Sequence, residues 1–398
     1  MSRPVITTDA RASGRAAAGL PRPPVPKPAG ARLSGHLPRW GRDAIALLEE
    51  GARLGPVFRV RLWRPALVGY QPGWNRTILS DLDGFRSRGS MSQLSPFLRG
   101  GVIALDAPAH RPRRAQLNPT FHRQAIAPLF TGRFQDIVDR SRPQGTFDAV
   151  TWASAVVRRL LTEAFFGPGR SPALEEFLAP LDRSLPAPLL PRPLRIRRMR
   201  RVLRAALADP PPGTLLAAFA ALPGPSDDAV EEARVALAAG YDTTAHTVAF
   251  ALWEIAARPD LNDPDRTGAV VREALRLYPA GWIGSRVAVR DVDVEGVRVP
   301  AGHLVLYSPY LTHRDPQVWD QPDRFRPERF DRPLPAWGYL PFGAGERICL
   351  GAALATAMVQ AAVRAFAGGR LRRVGGDPRP TGVLTLTPRG PLILDHRP

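Results

Sequence analysis

The chain has 398 residues, 44% of them hydrophobic and 23% charged, the balance of an ordinary globular protein. It carries 55 basic against 36 acidic residues, a net charge of +19, and one cysteine. A single cysteine excludes an intrachain disulfide framework and fits a reducing compartment. No apolar run of 18 residues suggests a membrane span.

Met1 to Arg32 is broken throughout by Arg, Pro and Gly, so neither a secretory leader nor an anchor is expected, and the cytoplasm is the expected location. Lys27 is the only lysine, and the arginines are spread along the chain. That spread favours an acidic electron-transfer partner over nucleic acid.

Residues 1–35 lack periodicity, which predicts a flexible Pro/Arg-rich tail before a single domain over 36–398. From Trp40 to Leu54, Ile45, Leu47, Leu48 and Ala52 suit one face of an amphipathic helix. Phe58, Val60 and Leu62 alternate with Val57, Arg59 and Arg61, a half-buried strand whose hairpin partner is 66–70. Residues 72–82 read as a short helix. Residues 85–102 have no period and form a loop, with Met91, Leu94, Phe97 and Leu98 as its apolar contacts.

After Asp106, His110 and Arg114 lie four apart on one helix face, with Pro112 restricted to the first turn. Residues 123–181 supply two or three helices, the clearest from Ala153 to Phe166. The proline-dense 184–193 cannot be regular helix. Arg195 to Leu207 is a basic helix with a solvated face, ended by the prolines at 210–212.

Ser226, Asp227 and Asp228 make a helix start, and nearly thirty proline-free residues follow. This helix is apolar all round, so it should cross the core. Within it, Ala239-Gly240-Tyr241-Asp242-Thr243-Thr244 places an acid and hydroxyls where they cost free energy unless paired or used. Gly240 weakens the helix by roughly 1 kcal/mol relative to alanine, and a bulge there would make room for a small ligand. His246, one turn on, reads as a core or edge histidine. Glu273 and Arg276, three apart, can pair on a helix face. Strands follow at 286–289, at 292–299 with a turn at Glu295-Gly296, and at 304–307. Residues 382–394 form a hairpin.

Leu340 to Gly351, LPFGAGERICLG, holds Cys349 just ahead of an alanine-rich helix over 352–366. Unpaired N–H groups and the helix dipole there favour a thiolate. Such a cysteine can be structural, can be a nucleophile beside a histidine, or can be the axial ligand of a haem iron. Gly343, Gly345 and Gly351 allow close approach to a flat macrocycle and positive φ, and Arg347 offers a cation for a propionate.

The pattern Phe342-x-x-Gly345-x-Arg347-x-Cys349-x-Gly351 resembles the haem-binding signature of cytochromes P450. The resemblance extends in order over roughly 38–396 and implies a mainly helical P450 fold with a small β lobe. By it, Cys349 ligates haem b, and Phe342, Gly343, Gly351 and Arg347 border the macrocycle. His110, Arg114 and Arg286 bind propionates. Asp242 delivers protons and Thr243 bonds the dioxygen being activated. Glu273, Arg276 and Arg329, the last within Pro327-Glu328-Arg329-Phe330, form a buried ion-pair cluster. Leu94, Phe97, Ala239, Gly240, Trp282 and Ile283 border the substrate, and the tip of the C-terminal hairpin projects into that pocket.

The implied activity is a monooxygenase of secondary metabolism, inserting one atom of O2 into a lipophilic substrate. Electrons come from NAD(P)H through a ferredoxin and its reductase, and the protein acts as a monomer. Peroxide-driven, coupling or desaturating chemistry, a non-catalytic haem-binding partner, and a basic nucleic-acid binder are the alternatives. One departure stands out. Only Arg258 to Arg272 separate the central helix from Glu273, where the family fits one or two more helices, and that bears on partner docking.

Overall fold

A computed structural model describes residues 24–91, 94–130, 132–183 and 187–397. Most of the expected tail, 1–23, lies outside the described residues, as does 184–186 of the proline-dense segment. Residues 24–35 are not loose. The Pro26 carbonyl accepts from Arg59 N at 2.7 Å, and Ala29 N donates to Glu50 at 3.2 Å. His36 Nε2 contacts the Pro28 carbonyl at 3.0 Å. The domain therefore begins ahead of residue 36.

The architecture is mainly helical with small sheets, as expected. The first helix, Leu37–Leu54, buries Ile45, Leu47 and Leu48. Strands Val57–Arg61 and Pro65–Gly69 pair antiparallel with Phe58 and Val60 inward. Pro65–Gly69 then pairs parallel with Leu304–Tyr307, which continues through Gly284–Ala288 to Phe85–Arg86. Phe85 and Arg86 thus close a sheet edge and are not loop.

Residues 123–178 hold four helices, one more than expected: Arg123–Phe130, Arg133–Ser141, Ala149–Phe166 and Pro172–Leu178. The third begins earlier than its apolar run because the Asp148 carboxylate accepts from Val150 N, capping it. The basic helix runs Pro193–Ala208. Several of its arginines pair with acids, including Arg200 with Glu231 and Arg204 with Asp227.

The C-terminal segment differs from the expected hairpin over 382–394. Pro380–Gly382 pairs with Leu386–Pro388 around a turn at 383–385. Leu392–Arg397 joins Arg370–Gly376 and Gly145–Asp148 in another sheet. Local alternation could not distinguish these partners, because Gly145–Asp148 lies some 250 residues earlier.

Ser226–Ile255 is the central helix, 30 residues long and buried over most of its surface. It packs against Ala149–Phe166, Pro193–Ala208, Thr267–Leu277 and Ala352–Arg364. Its cap position is Pro225, without a side-chain bond, so Ser226 is the first helical residue and not the cap. The helix is continuous through Gly240, and the expected bulge is not there. Among the described residues, no helix is long and apolar enough to cross a membrane.

Glu273 and Arg276, on Thr267–Leu277, are both fully buried and joined by two bonds of 2.8 and 2.9 Å. Glu273 also takes Arg329 Nε at 3.0 Å and Arg326 N at 2.7 Å. Arg276 donates to the carbonyls of His313 (2.6 Å), Pro322 (2.7 Å) and Arg324 (3.1 Å). Burying two ions is costly, and here the cost is met by satisfying nearly every donor and acceptor. Glu273→Ala leaves Arg276 buried and unpaired, and should lower stability by about 3–5 kcal/mol, read from denaturant unfolding.

Candidate active site

The Cys349 loop is fixed from both ends. Cys349 N donates to the Phe342 carbonyl at 2.9 Å, closing the loop, and Leu340 N donates to His313 Nε2 at 2.7 Å. His313 Nδ1 contacts the Arg276 carbonyl at 2.9 Å, so this histidine straps the loop to the ion-pair cluster. One nitrogen donates and the other accepts, the pattern of a neutral imidazole. Burial pushes its pKa down to about 3. Sequence reading missed this role, since a histidine beside Arg314 and Asp315 carries no local sign of a partner 27 residues on.

Gly343 and Gly345 both adopt left-handed backbone, φ 70° and 69°. A Cβ at Gly345 would sit 2.5 Å from the Leu79 carbonyl oxygen, so glycine is required there on two grounds. Gly351 has φ −79°, and its expected positive φ is absent. A Cβ at Gly343 or Gly351 would meet nothing within 4 Å, so both backbones border open space.

Cys349 is solvent-exposed by surface, yet burial pushes its thiol pKa up. A side chain both open and surrounded by protein fronts an internal space. The Gly351 backbone and Arg114 pull the other way, but desolvation dominates. Without a metal, burial therefore favours the thiol, and a coordinating metal would remove the proton and leave the expected thiolate.

The cations expected around a haem converge. Arg347, Arg114 and Arg286 all act on His110, and with burial they push its pKa down to about 4. Arg347 donates to the Leu105 carbonyl (2.6 Å) and Asp106 (2.8 Å). Arg114 donates to Asn118 at 2.8 Å, and Arg286 reaches only its neighbour's carbonyl, Ser285 O, at 2.8 Å. His110 Nδ1, Arg286 Nε and Arg347 Nε are buried without a hydrogen-bond partner. Buried donors on mutually repelling cations fit a group that brings two carboxylates.

The central helix is buried on most sides, but Ala236, Ala239, Gly240, Thr243 and His246 are partly open. Their spacing of three, four and seven makes one stripe. A Cβ at Gly240 would meet only Leu161, at 3.4 Å, so the stripe fronts space and not a packed neighbour. Thr243 Oγ1 donates to the Ala239 carbonyl at 2.7 Å. Asp242 is buried beside this stripe, at its edge. It accepts from Thr385 Oγ1 at 2.5 Å and lies 3.2 Å from His246 Nδ1. Burial pushes its pKa up.

Thr385 is in the turn at 383–385, so the hairpin tip reaches the central helix at Asp242. Among the other pocket candidates, Ile283 is half-buried and Leu94 is exposed. Phe97 and Trp282 are corrected to core positions. Phe97 packs on Phe177 at 5.4 Å with the rings tilted by 59° and its carbonyl held by Arg234, and Trp282 packs on Trp40 at 5.6 Å. A surface cleft of about 710 Å³ near Arg140, Arg158 and Arg159 contains none of these groups.

Comparison with known proteins gives the same direction. The family model described as Cytochrome P450 matches residues 266–366, the span from the start of helix Thr267–Leu277 to the helix after Cys349. Cytochrome P450 3A6 of Oryctolagus cuniculus is 37% identical over 31% of this chain and 30% of its own length. A protein of Mycobacterium bovis carrying the name cytochrome P450 139 is 29% identical over 71% of this chain and 80% of its own. Cyclooctat-9-en-7-ol 5-monooxygenase of Streptomyces melanosporofaciens is 27% identical over 93% and 94%.

The depressed pKa of His313 makes the loop's attachment pH-sensitive. Unfolded, this histidine titrates near 6.5; folded, it stays neutral down to about 3. The unfolded state therefore binds more protons between these values, and stability falls as pH drops through that window. Thermal unfolding from pH 7 to 4 should show a steeper loss in the native chain than in His313→Gln, whatever their absolute stabilities.

Proposed function

The chain belongs to the cytochrome P450 family and is a monooxygenase of the bacterial type, and on that premise we propose that it oxidises a lipophilic substrate of secondary metabolism. The electrons in this reading come from NAD(P)H through a ferredoxin and its reductase. The observation that carries it is the meeting of an open Cys349 with three guanidiniums, Arg114, Arg286 and Arg347, and the His110 imidazole; three of these four groups keep unpartnered buried nitrogens. The name of the Streptomyces relative, a 5-monooxygenase of cyclooctat-9-en-7-ol, supports a lipophilic substrate. So does the apolar lining offered by Ala236, Ala239 and Gly240 on the open stripe. The net charge of +19 suits an acidic electron carrier.

Bound haem supplies the redox centre at which the O–O bond is cleaved, aided by electron donation from a thiolate. Cys349 would hold the iron, and the space beside Gly343 and Gly351 would leave room for the macrocycle. His110, Arg114, Arg286 and Arg347 would pair with its propionates. Thr243 lies on the open stripe, and threonine in a helix has two accessible χ1 wells. Its hydroxyl can leave the Ala239 carbonyl and turn toward a ligand. Burial raises the pKa of Asp242, which favours the protonated form that a donor needs.

The reduced, CO-treated protein should show the red-shifted Soret band of thiolate ligation, and Cys349→Ala should lose it. An unshifted band in the native chain would count against the reading. Thr243→Ala should keep consuming NAD(P)H while product per reductant falls by about ten-fold or more, measured with surrogate ferredoxin partners and any substrate that shifts the haem spectrum.

A further inference from the structure

Asp242 and Thr243 are neighbours in sequence, but successive residues on a helix point about 100° apart. Asp242 is buried at the edge of the open stripe while Thr243 lies on it, and a proton on the Asp242 carboxyl reaches that stripe most directly through a neighbouring group. Both of its oxygens are engaged: Oδ2 accepts from Thr385 Oγ1 at 2.5 Å, and Oδ1 lies 3.2 Å from His246 Nδ1. Thr385 Oγ1 is also 3.3 Å from that Nδ1, so the three groups form a closed triangle.

The triangle is largely enclosed. Asp242 and Thr385 are buried, and the His246 side chain is 12% open against 8% for Asp242. His246 is three residues beyond Thr243 and seven beyond Ala239, on their face of the helix. Its second nitrogen, Nε2, has no hydrogen bond among the described residues. The other charged group that acts on Asp242 is Asp182, which is bonded to Tyr241 and Arg158 and raises the cost of ionising it. A structural histidine at this place would have its polar edge satisfied on both sides. This one has one edge on a buried acid and the other toward the open face.

We propose that His246 carries protons between the Asp242 carboxyl and the open face of the central helix, with Thr385 as the positioning residue that holds the carboxyl for transfer. The inference rests on the monooxygenase reading and assigns the proton path within it. In the forward step the O–H bond of Asp242 breaks as Nδ1–H forms. Nε2–H is lost to an acceptor on the open face, leaving a carboxylate and a neutral imidazole. The return step takes a proton at Nε2 from solvent water in the pocket and restores the carboxyl. One proton enters and one leaves, and no electrons move. Thr385 keeps its own proton throughout, donating to Oδ2.

The test uses the CO-bound, reduced holoprotein for spectroscopy and the reconstituted system for turnover. The infrared C=O stretch of protonated Asp242, identified by its loss in Asp242→Asn, should shift in both Thr385→Val and His246→Gln and stay fixed in Thr243→Ala. The ¹⁵N resonance of His246 Nδ1 should move in Asp242→Asn. In turnover, His246→Gln should lower product per NAD(P)H by about five-fold or more and enlarge the solvent deuterium isotope effect, with haem content and melting temperature near native. Thr385→Val should fall between the two. Native coupling in His246→Gln, or an Asp242 band unmoved by either substitution, overturns the proposal. If the native chain shows no turnover with any substrate, the monooxygenase reading fails, and the two spectroscopic signals alone decide whether the triangle exists.

Discussion

Charge held inside protein without a counter-charge is the constraint on which this structure turns. Two clusters resolve it differently. Around Glu273 the problem is solved internally: the carboxylate takes two guanidiniums and a backbone N–H, and Arg276 reaches three carbonyls. Around His110 it is not. Three guanidiniums depress a buried imidazole, while Asp106 is the carboxylate bonded to one of them, Arg347. Such a cluster is suited to a partner that supplies negative charge, as two propionates would. His313 connects the two regimes, since its ring joins the Arg276 carbonyl to the N–H that starts the Cys349 loop. The satisfied cluster is the anchor from which the unsatisfied site is suspended.

The parts of this arrangement legible in the sequence are those that depend on short spacings. Gly343, Gly345, Arg347 and Cys349 fall within seven residues, and Glu273 with Arg276 within four, so motif and chemistry coincide. His110, Arg114 and Arg286 could be placed only through family likeness, and the structure does bring them together. What stayed hidden depends on distant partners. His313, Thr385 and His246 acquire their roles from residues that their neighbourhoods do not mention, and Thr385 reaches Asp242 across 143 positions. The same limit misassigned Leu392–Arg397, whose alternation fits a hairpin as well as the three-stranded sheet it joins. Trp282 and Phe97 show a different limit. Apolar character near a pocket motif cannot say which side of the wall a ring occupies, and both rings turned into the core.

The thiol is the clearest case of a local rule overruled. A cysteine before a helix should be acidified by the N-terminal dipole, and the Gly351 backbone does pull its pKa down. Burial pushes harder, because the same internal setting that suits a macrocycle is poor at solvating charge. A metal held by Cys349 would therefore displace the thiol proton as it binds.

The central helix carries an opposing demand. It is the core's main packing element, and a core helix must be regular and apolar to be stable. A polar pair in its middle would ordinarily break that rule at a cost in free energy. The structure keeps the helix continuous and instead satisfies the polar groups from two directions. Thr243 bonds back to Ala239 within the helix, and Asp242 is met by the tip of a hairpin formed at the far end of the chain. The acid is thereby locked and the hydroxyl is left free to turn. An acid buried at the edge of the open stripe and a hydroxyl on it would work as a pair through a third group on the same helix face. His246, 3.2 Å from the one and one turn beyond the other, is the bridge we propose.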